Sequence, residues 1–378
     1  MLRKKSFITS LLILVLIVFI AGCDKDKSIN APEFTSLEQE IDNIAQKYVK
    51  VGAIVGIINK QQEREVFSYG TKSIYNNTPP DINTVFEIGS ITKTFTTILT
   101  ANMYLKGHFT DDTVGHYLPA NGVTMPSRES VEISLIHLAT HTSGIPRSPQ
   151  RDPSFPLPGG YDPLNPYAVY TTEHIYDYLT NYCILEFTPG SWWSYSNTGM
   201  GLLGHIIGLV DGTSYKTVLQ REIFDVLGMD NSSLFLNELQ RGNLALGHNT
   251  SMEIVPNWYA NDIFQGAGFI KSSLNDMFTY LEANMGLVET PLRDAMDLTH
   301  QPQMHQGSMG DQGLGWYILE LDDGQRVVYS GGDTNGYSAY IGFNKSALTG
   351  AIVLLNCSMH DGSNLASGAA LLKAIMKY

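Results

Sequence analysis

Cysteine is scarce: 378 residues contain three, Cys23, Cys183 and Cys357. A structural metal held by four thiolates is excluded, and Cys183 with Cys357 allows at most one disulfide in the body of the chain. Basic charge is scarce as well. The 24 Lys and Arg stand against 37 Asp and Glu, a formal net charge of -13, which argues against nucleic acid and other polyanions as partners. An apolar run long enough to span a bilayer is also missing at the N-terminus, where the run within residues 7–20 is short of the roughly 20 residues a transmembrane helix needs. Internal repeats and low-complexity segments are absent too. What remains is an ordinary globular composition, 43% apolar and 16% charged, able to bury a sizeable core as one large domain or two intimate ones.

The short apolar run follows Arg3, Lys4 and Lys5 and ends at Ile20-Ala21-Gly22-Cys23. A basic start, a short apolar stretch and small residues before a cleavage point predict a secretory signal over residues 1–22. The cysteine directly after Ala-Gly resembles a bacterial lipobox, which implies lipidation of Cys23. Residues 23–35 then form a polar tether, and the lipid holds the protein to a membrane without spanning it. The expected address is the periplasmic side of the cell envelope, as a lipoprotein.

Helical periodicity over 36–49 begins with Ser36 and Gln39, a capping-box pair. Two strand-like runs follow at 51–59 and 64–70, and four more lie between 314 and 356, with a helix-like tail at 363–378. The pattern predicts an α/β (α+β) fold: an antiparallel sheet from the N- and C-terminal segments, flanked by helices, with a mostly helical insertion. The domain is expected over 36–378, with a sheet part (36–89 and 312–378) and a helical part (90–311). "SLIHLATHTSGIP" reads as a helix stopped by Gly144 and Pro146. The proline- and tyrosine-rich stretch after it, with Tyr161, Tyr167 and Tyr170, reads as a wall or lid of a site.

The chemistry starts in "FEIGSITKTFT". Ser90 and Lys93 are three apart, so a helix beginning there puts amine and hydroxyl on one face. A neutral amine can take the serine proton; a capped helix with a solvated lysine is the bland alternative. "TPGSWWSYSNTGMG" places Tyr195-Ser196-Asn197 between a Pro-Gly turn and a helix-like run, offering a phenol to relay the proton and an amide to orient substrate. Tyr75-Asn76-Asn77 and Tyr259-Ala260-Asn261 share the tripeptide pattern but lack that context. His137 and His141 are four apart without the glutamate of a zinc protease motif, so they read as packing or loop-fixing residues. Trp192 and Trp193 read as pocket lining or as junction packing. Neither a metal nor an organic cofactor is implied.

Together with "IFDVLGMDNSSL", "GAGFIKSSLNDM" and "GYSAYIGFNKSALTGAIVLLN", these segments run in the order found in a family of serine hydrolases. The chain resembles class C β-lactamases, penicillin-binding DD-peptidases and the related esterases, over essentially its whole length from residue 36. The resemblance implies a nucleophile Ser90, base Lys93, proton relay Tyr195, substrate-orienting Asn197, and an oxyanion hole from the backbone N–H groups of Ser90 and Asp333. It implies an acyl-enzyme on D-alanyl peptides of peptidoglycan or on β-lactams, with small acyl esters as the alternative substrates. A penicillin-binding sensor without turnover is a further reading.

The third family motif departs. Lys-Thr-Gly or His-Thr-Gly is expected on the strand lining the site, and anchoring on "NGYSAYIGF" puts Ser330-Gly331-Gly332 there. A hydroxyl and two glycines offer a substrate carboxylate only neutral contacts.

Overall fold

The computed structural model describes residues 36–119, 122–306, 310–321, 324–359 and 363–378. The expected signal segment, Cys23 and the tether lie outside the described residues. Among the described residues no helix is long and apolar enough to cross a membrane.

Among the described residues ten strands form in chain order: β1 Gly52–Ile58, β2 Arg64–Gly70, β3 Val85–Glu87, β4 Lys271–Ser273, β5 Met304–His305, β6 Asp311–Gln312, β7 Tyr317–Glu320, β8 Arg326–Asp333, β9 Ser338–Asn344 and β10 Thr349–Leu355. Eight of them make one antiparallel sheet in the order β2-β1-β10-β9-β8-β7-β6-β5, while β3 and β4 pair separately. The sheet thus draws on both ends of the chain, and its last edge reaches back to Met304, inside the stretch read as insertion.

The uninterrupted apolar run of β1 is explained by cover on both faces. Ala53, Val55 and Ile57 point into a core shared with α1 (Leu37–Tyr48) and the C-terminal helix Ser363–Lys377, while Ile54 and Ile58 point into the main core on the other side. Strand alternation sorts the two sets. β2, at the edge, alternates exposed and half-buried residues.

Through the main core runs α2 (Thr92–Leu105), buried from Thr92 to Met103. Five of its positions are threonines whose hydroxyls would be costly if unpaired; Thr92 Oγ1 accepts from Ile270 N. The other four each donate to a carbonyl one turn back, as Thr97 does to Thr94 and Thr100 to Thr96. Phe95 stacks on Tyr280 with ring centres 3.9 Å apart, fixing α2 against the helix Leu274–Met285.

The "SLIHLATHTSGIP" helix is shorter than its pattern suggests. It covers Leu135–Ala139 and stops at His141, which takes a left-handed backbone (φ 60°), well before Gly144. The proline-rich stretch is a fixed wall rather than a lid. Tyr167 and Tyr170 are buried, and the side chains of Trp258, Asn335 and Asn261 donate to the carbonyls of Leu164, Leu164 and Tyr170 respectively. Cys183 and Cys357 are both buried free thiols and do not pair.

Candidate active site

Ser90 sits in a single 3-10 turn, Gly89–Ile91, that leads directly into α2. Lys93, one turn on, is 2% exposed. Its Nζ lies 3.0 Å from Ser90 Oγ and donates to the Ala267 carbonyl at 2.5 Å. Burial, helped by the charge of Arg147, holds the amine well below the usual ammonium range. A neutral amine with one N–H committed to Ala267 has its lone pair free for the serine proton.

Tyr195 OH donates to Ser90 Oγ at 2.6 Å. Burial pushes this phenol above its ordinary value, with Tyr317 adding to the effect. The two groups beside the serine are therefore driven in opposite directions: the lysine towards neutral base, the tyrosine towards retained proton.

Backbone contacts from the short helix region hold Tyr195 there. Ser194 N donates to His141 O at 2.9 Å and Ser196 N to His141 Nδ1 at 3.2 Å, while the His141 ring packs on the Tyr195 ring, centres 4.5 Å apart. Asn197 N and Thr198 N both donate to Arg147 O. Ser196 then caps the helix Asn197–Asp211 by accepting from Gly199 N at 2.9 Å. His141 is a loop-fixing residue, as its sequence context suggests, and His137 accepts from Ser134 N at its own helix start. Among the described residues, no group of three or more His, Cys, Asp or Glu side chains is arranged to hold a metal ion.

Asn197, expected to orient substrate, has one end of its amide already engaged. Its Nδ2 donates to Tyr167 OH at 2.6 Å, which leaves Oδ1 as the buried atom without a partner. The atom left for a ligand is an acceptor. Tyr167→Phe is expected to free this amide to turn, lowering kcat/KM about 3- to 30-fold and stability by about 1 kcal/mol. Steady-state kinetics beside a thermal melt tests it; a stability loss with unchanged kinetics would remove Tyr167 from any orienting role.

Across the cleft, β8 comes unusually close to the Gly89–Ile91 turn. A Cβ on Gly332 would stand 1.9 Å from Ile88 O and 2.8 Å from Ser90 N, and a Cβ on Gly89 would stand 2.7 Å from Asp333 N. Only paired glycines permit that approach, and Gly89 also needs its positive φ of 50°. The approach brings the backbone nitrogens of Ser90 and Asp333 to the same rim. Ser330 and Gly331 line the cleft, with Gln312 and Tyr317 completing that wall.

The Asp333 side chain points elsewhere. Asp333 pairs with Ser338, whose hydroxyl donates to Asp333 Oδ1 at 2.5 Å and accepts from Met359 N. Met359 belongs to the core on the α1 side of the sheet, so strand alternation turns this carboxylate away from Ser90.

Sequence reasoning missed Gln312, Tyr317 and Arg147. Gln312 is buried and accepts from Trp193 Nε1 at 3.1 Å, which ties Trp193 beside the cleft, while Trp192 is 68% exposed. A single glutamine in a two-residue strand gives no local signal. Arg147 directly follows Pro146, and only the folded chain carries its guanidinium over the Tyr195 ring, 4.6 Å from the centre.

The β-lactamase family model matches residues 37–373. Among curated proteins, a β-lactamase of Pseudomonas fluorescens is 24% identical over 90% of this chain and 99% of its own length. The D-alanyl-D-alanine-carboxypeptidase/endopeptidase AmpH of Escherichia coli K12 is 25% identical over 89% of each chain. Of solved structures, a class C β-lactamase has a TM-score of 0.75 at 23% identity, covering 89% of this chain and 96% of its own. The β-lactamase/D-alanine carboxypeptidase from Pseudomonas syringae has a TM-score of 0.72 at 24% identity, covering 89% and 98%. A family match over nearly all the described chain, on a sheet and cleft of the same fold, means that this protein belongs to the β-lactamase family.

Proposed function

We propose that the protein is a serine hydrolase that works through an acyl-enzyme on Ser90, with D-alanyl peptides or β-lactams as substrates. The observation that carries this is a single hydroxyl held between a buried amine at 3.0 Å and a protonated phenol at 2.6 Å. Lys93 takes the proton of Ser90 as Oγ bonds to the substrate carbonyl carbon. The N–H groups of Ser90 and Asp333 hold the oxyanion. Tyr195 gives its proton to the departing nitrogen as the C–N bond breaks, and the proton on Lys93 restores the phenol. Water then attacks the acyl carbon along the same proton route and returns Ser90. Asn197 Oδ1 accepts from a substrate amide N–H.

The names of the relatives support this substrate class: a β-lactamase and a D-Ala-D-Ala carboxypeptidase. Small acyl esters are a second reading, supported by Ser330, which offers no charge to a carboxylate. An envelope lipoprotein anchored through Cys23 is the proposed setting, on the strength of residues 1–23 alone.

The test is burst against turnover with a D-Ala-D-Ala peptide, a chromogenic cephalosporin and a p-nitrophenyl ester. Release well beyond one equivalent of either of the first two is expected, with an acyl adduct on Ser90 by peptide mass. A burst that stops at one equivalent would make the protein a penicillin-binding sensor, and turnover of the ester alone would make it an esterase. Intact mass of the same membrane-extracted protein shows whether the chain starts at a lipid-bearing Cys23.

A further inference from the structure

We propose that Arg147 is the cationic seat for the substrate carboxylate, standing in for the basic side chain that Ser330 leaves out. This rests on the hydrolase reading above and adds to it the identity of the carboxylate-binding group.

The first argument is supply of charge. Ser330, buried on β8, is neutral. Lys93 is committed to Ser90 and Ala267. The other lysine buried among the described residues, Lys271, donates to the carbonyls of Trp258, Leu234 and Phe269. Arg147 is exposed, and among the described residues its guanidinium has neither a hydrogen-bond nor an ion-pair partner; it lies over the Tyr195 ring, 4.6 Å from the centre. A guanidinium stacked on a ring keeps its fork of N–H donors at the edge, free for a bidentate carboxylate.

The second argument is direction. Tyr195 protonates the leaving nitrogen, so the leaving group departs on the Tyr195 side of Ser90. In a peptide ending in D-Ala-D-Ala, the carboxylate carbon is two bonds from that nitrogen, about 2.5 Å by standard backbone dimensions. The carboxylate beside the ring nitrogen of a bicyclic β-lactam has the same two-bond relation. Leaving nitrogen and carboxylate thus fall on the same tyrosine, and Arg147 lies over that tyrosine's face.

The third argument is anchorage. Arg147 O accepts from Asn197 N at 2.9 Å and Thr198 N at 3.2 Å, and Pro146 O accepts from Ser196 Oγ at 3.1 Å. The residue is fastened to the segment that carries Tyr195, so guanidinium and phenol keep a fixed relation. Asp333, the nearest acid on β8, is turned to the far face of the sheet and does not neutralise the guanidinium.

The experiment compares an N-acylated D-Ala-D-Ala peptide as free acid with its C-terminal amide, and a cephalosporin with the methyl ester of its carboxylate. The wild-type protein is expected to prefer acid over neutral partner by tenfold or more in kcat/KM. Arg147→Met brings that ratio towards one, chiefly through KM, and Arg147→Lys restores part of it. Arg151→Met removes a charge four residues along the same loop and keeps the wild-type ratio. If Arg147→Met lowers acid and neutral substrates by one common factor, Arg147 acts only through Lys93 or Tyr195 and the proposal fails. Equal wild-type rates on acid and neutral partners also overturn it, while leaving the hydrolase reading intact. Absence of any Ser90 adduct with peptide, cephalosporin or ester removes the hydrolase reading itself, and the Arg147 role with it.

Discussion

Ser90→Ala and Lys93→Met are each expected to lower kcat/KM by about 10³- to 10⁴-fold or more, and the double variant by no more than the worse single one. Non-additivity follows from the geometry. The lysine has no use without a hydroxyl 3.0 Å away to deprotonate, and the hydroxyl is a weak nucleophile without its base. Losses that multiply in the double variant would show two independent functions and would break the base assignment. The pH dependence carries the same signature. In the wild-type protein, kcat/KM rises as Lys93 loses its proton, at a pH well below the lysine's ordinary 10.5. Tyr195, with its pKa raised, adds no phenolate step on the acid side.

Lys93 also leaves a mark on stability. Between its lowered folded pKa and 10.5 the unfolded chain holds the extra proton, so the native state gains stability as pH rises through that window. The difference in stability between wild type and Lys93→Met should therefore shift in favour of wild type with rising pH. Denaturant melts at several pH values below 10 check the sign; a flat difference would mean that Lys93 is not depressed in the folded protein.

The second large effect is expected from a glycine. Gly332→Ala puts a Cβ 1.9 Å from Ile88 O and 2.8 Å from Ser90 N, both backbone atoms that cannot swing aside. β8 must back away from the Gly89–Ile91 turn, and the two N–H groups proposed for the oxyanion separate. The expected loss is about 10²- to 10³-fold, falling on kcat, the scale of one lost oxyanion donor. Overpacking adds a stability cost of about 1–3 kcal/mol, so the assay belongs well below the melting temperature. Ser330→Ala, two residues earlier on the same strand, is the control. It removes a hydroxyl without moving the backbone, and a loss within about tenfold is expected because one neutral hydrogen bond is worth about 1 kcal/mol. Equal losses in both variants would mean that the strand binds substrate through side chains and not through its backbone.

Legibility from sequence followed the range of the forces involved. The Ser90–Lys93 pairing was readable because three residues of helix fix it, and the six main strand runs were readable because period-two or unbroken apolar patterns are local. The helix before "HTSG" was over-read because its apolar pattern continues to the glycine, whereas His141 leaves helical geometry to hold Ser194 and Ser196. The proline-rich stretch was legible as a wall or lid, but which of the two it is depends on fastening to Trp258, Asn261 and Asn335, some 90 to 170 residues away. The orientation of the Asn197 amide was out of reach for the same reason, since Tyr167 sets it from that wall.

By itself, the sequence determined which residues are proposed to carry the chemistry, that Ser90 and Lys93 share a face, and that the third motif has no cation. These follow from residue identity and from geometry spanning a few residues. Tertiary structure decided which way the titrations beside Ser90 are pushed and which cation lies near it. The Lys93 amine is pushed well below its usual range because the surrounding core excludes water from it and Arg147 repels its charge. Tyr195 meets Ser90 across 105 residues, and Gly332 meets Gly89 only because β8 packs beside the turn. Arg147 reaches the Tyr195 ring from a loop whose local sequence gives no hint of it. Desolvation and electrostatics sum over everything packed around a group, and no short window of sequence contains that sum.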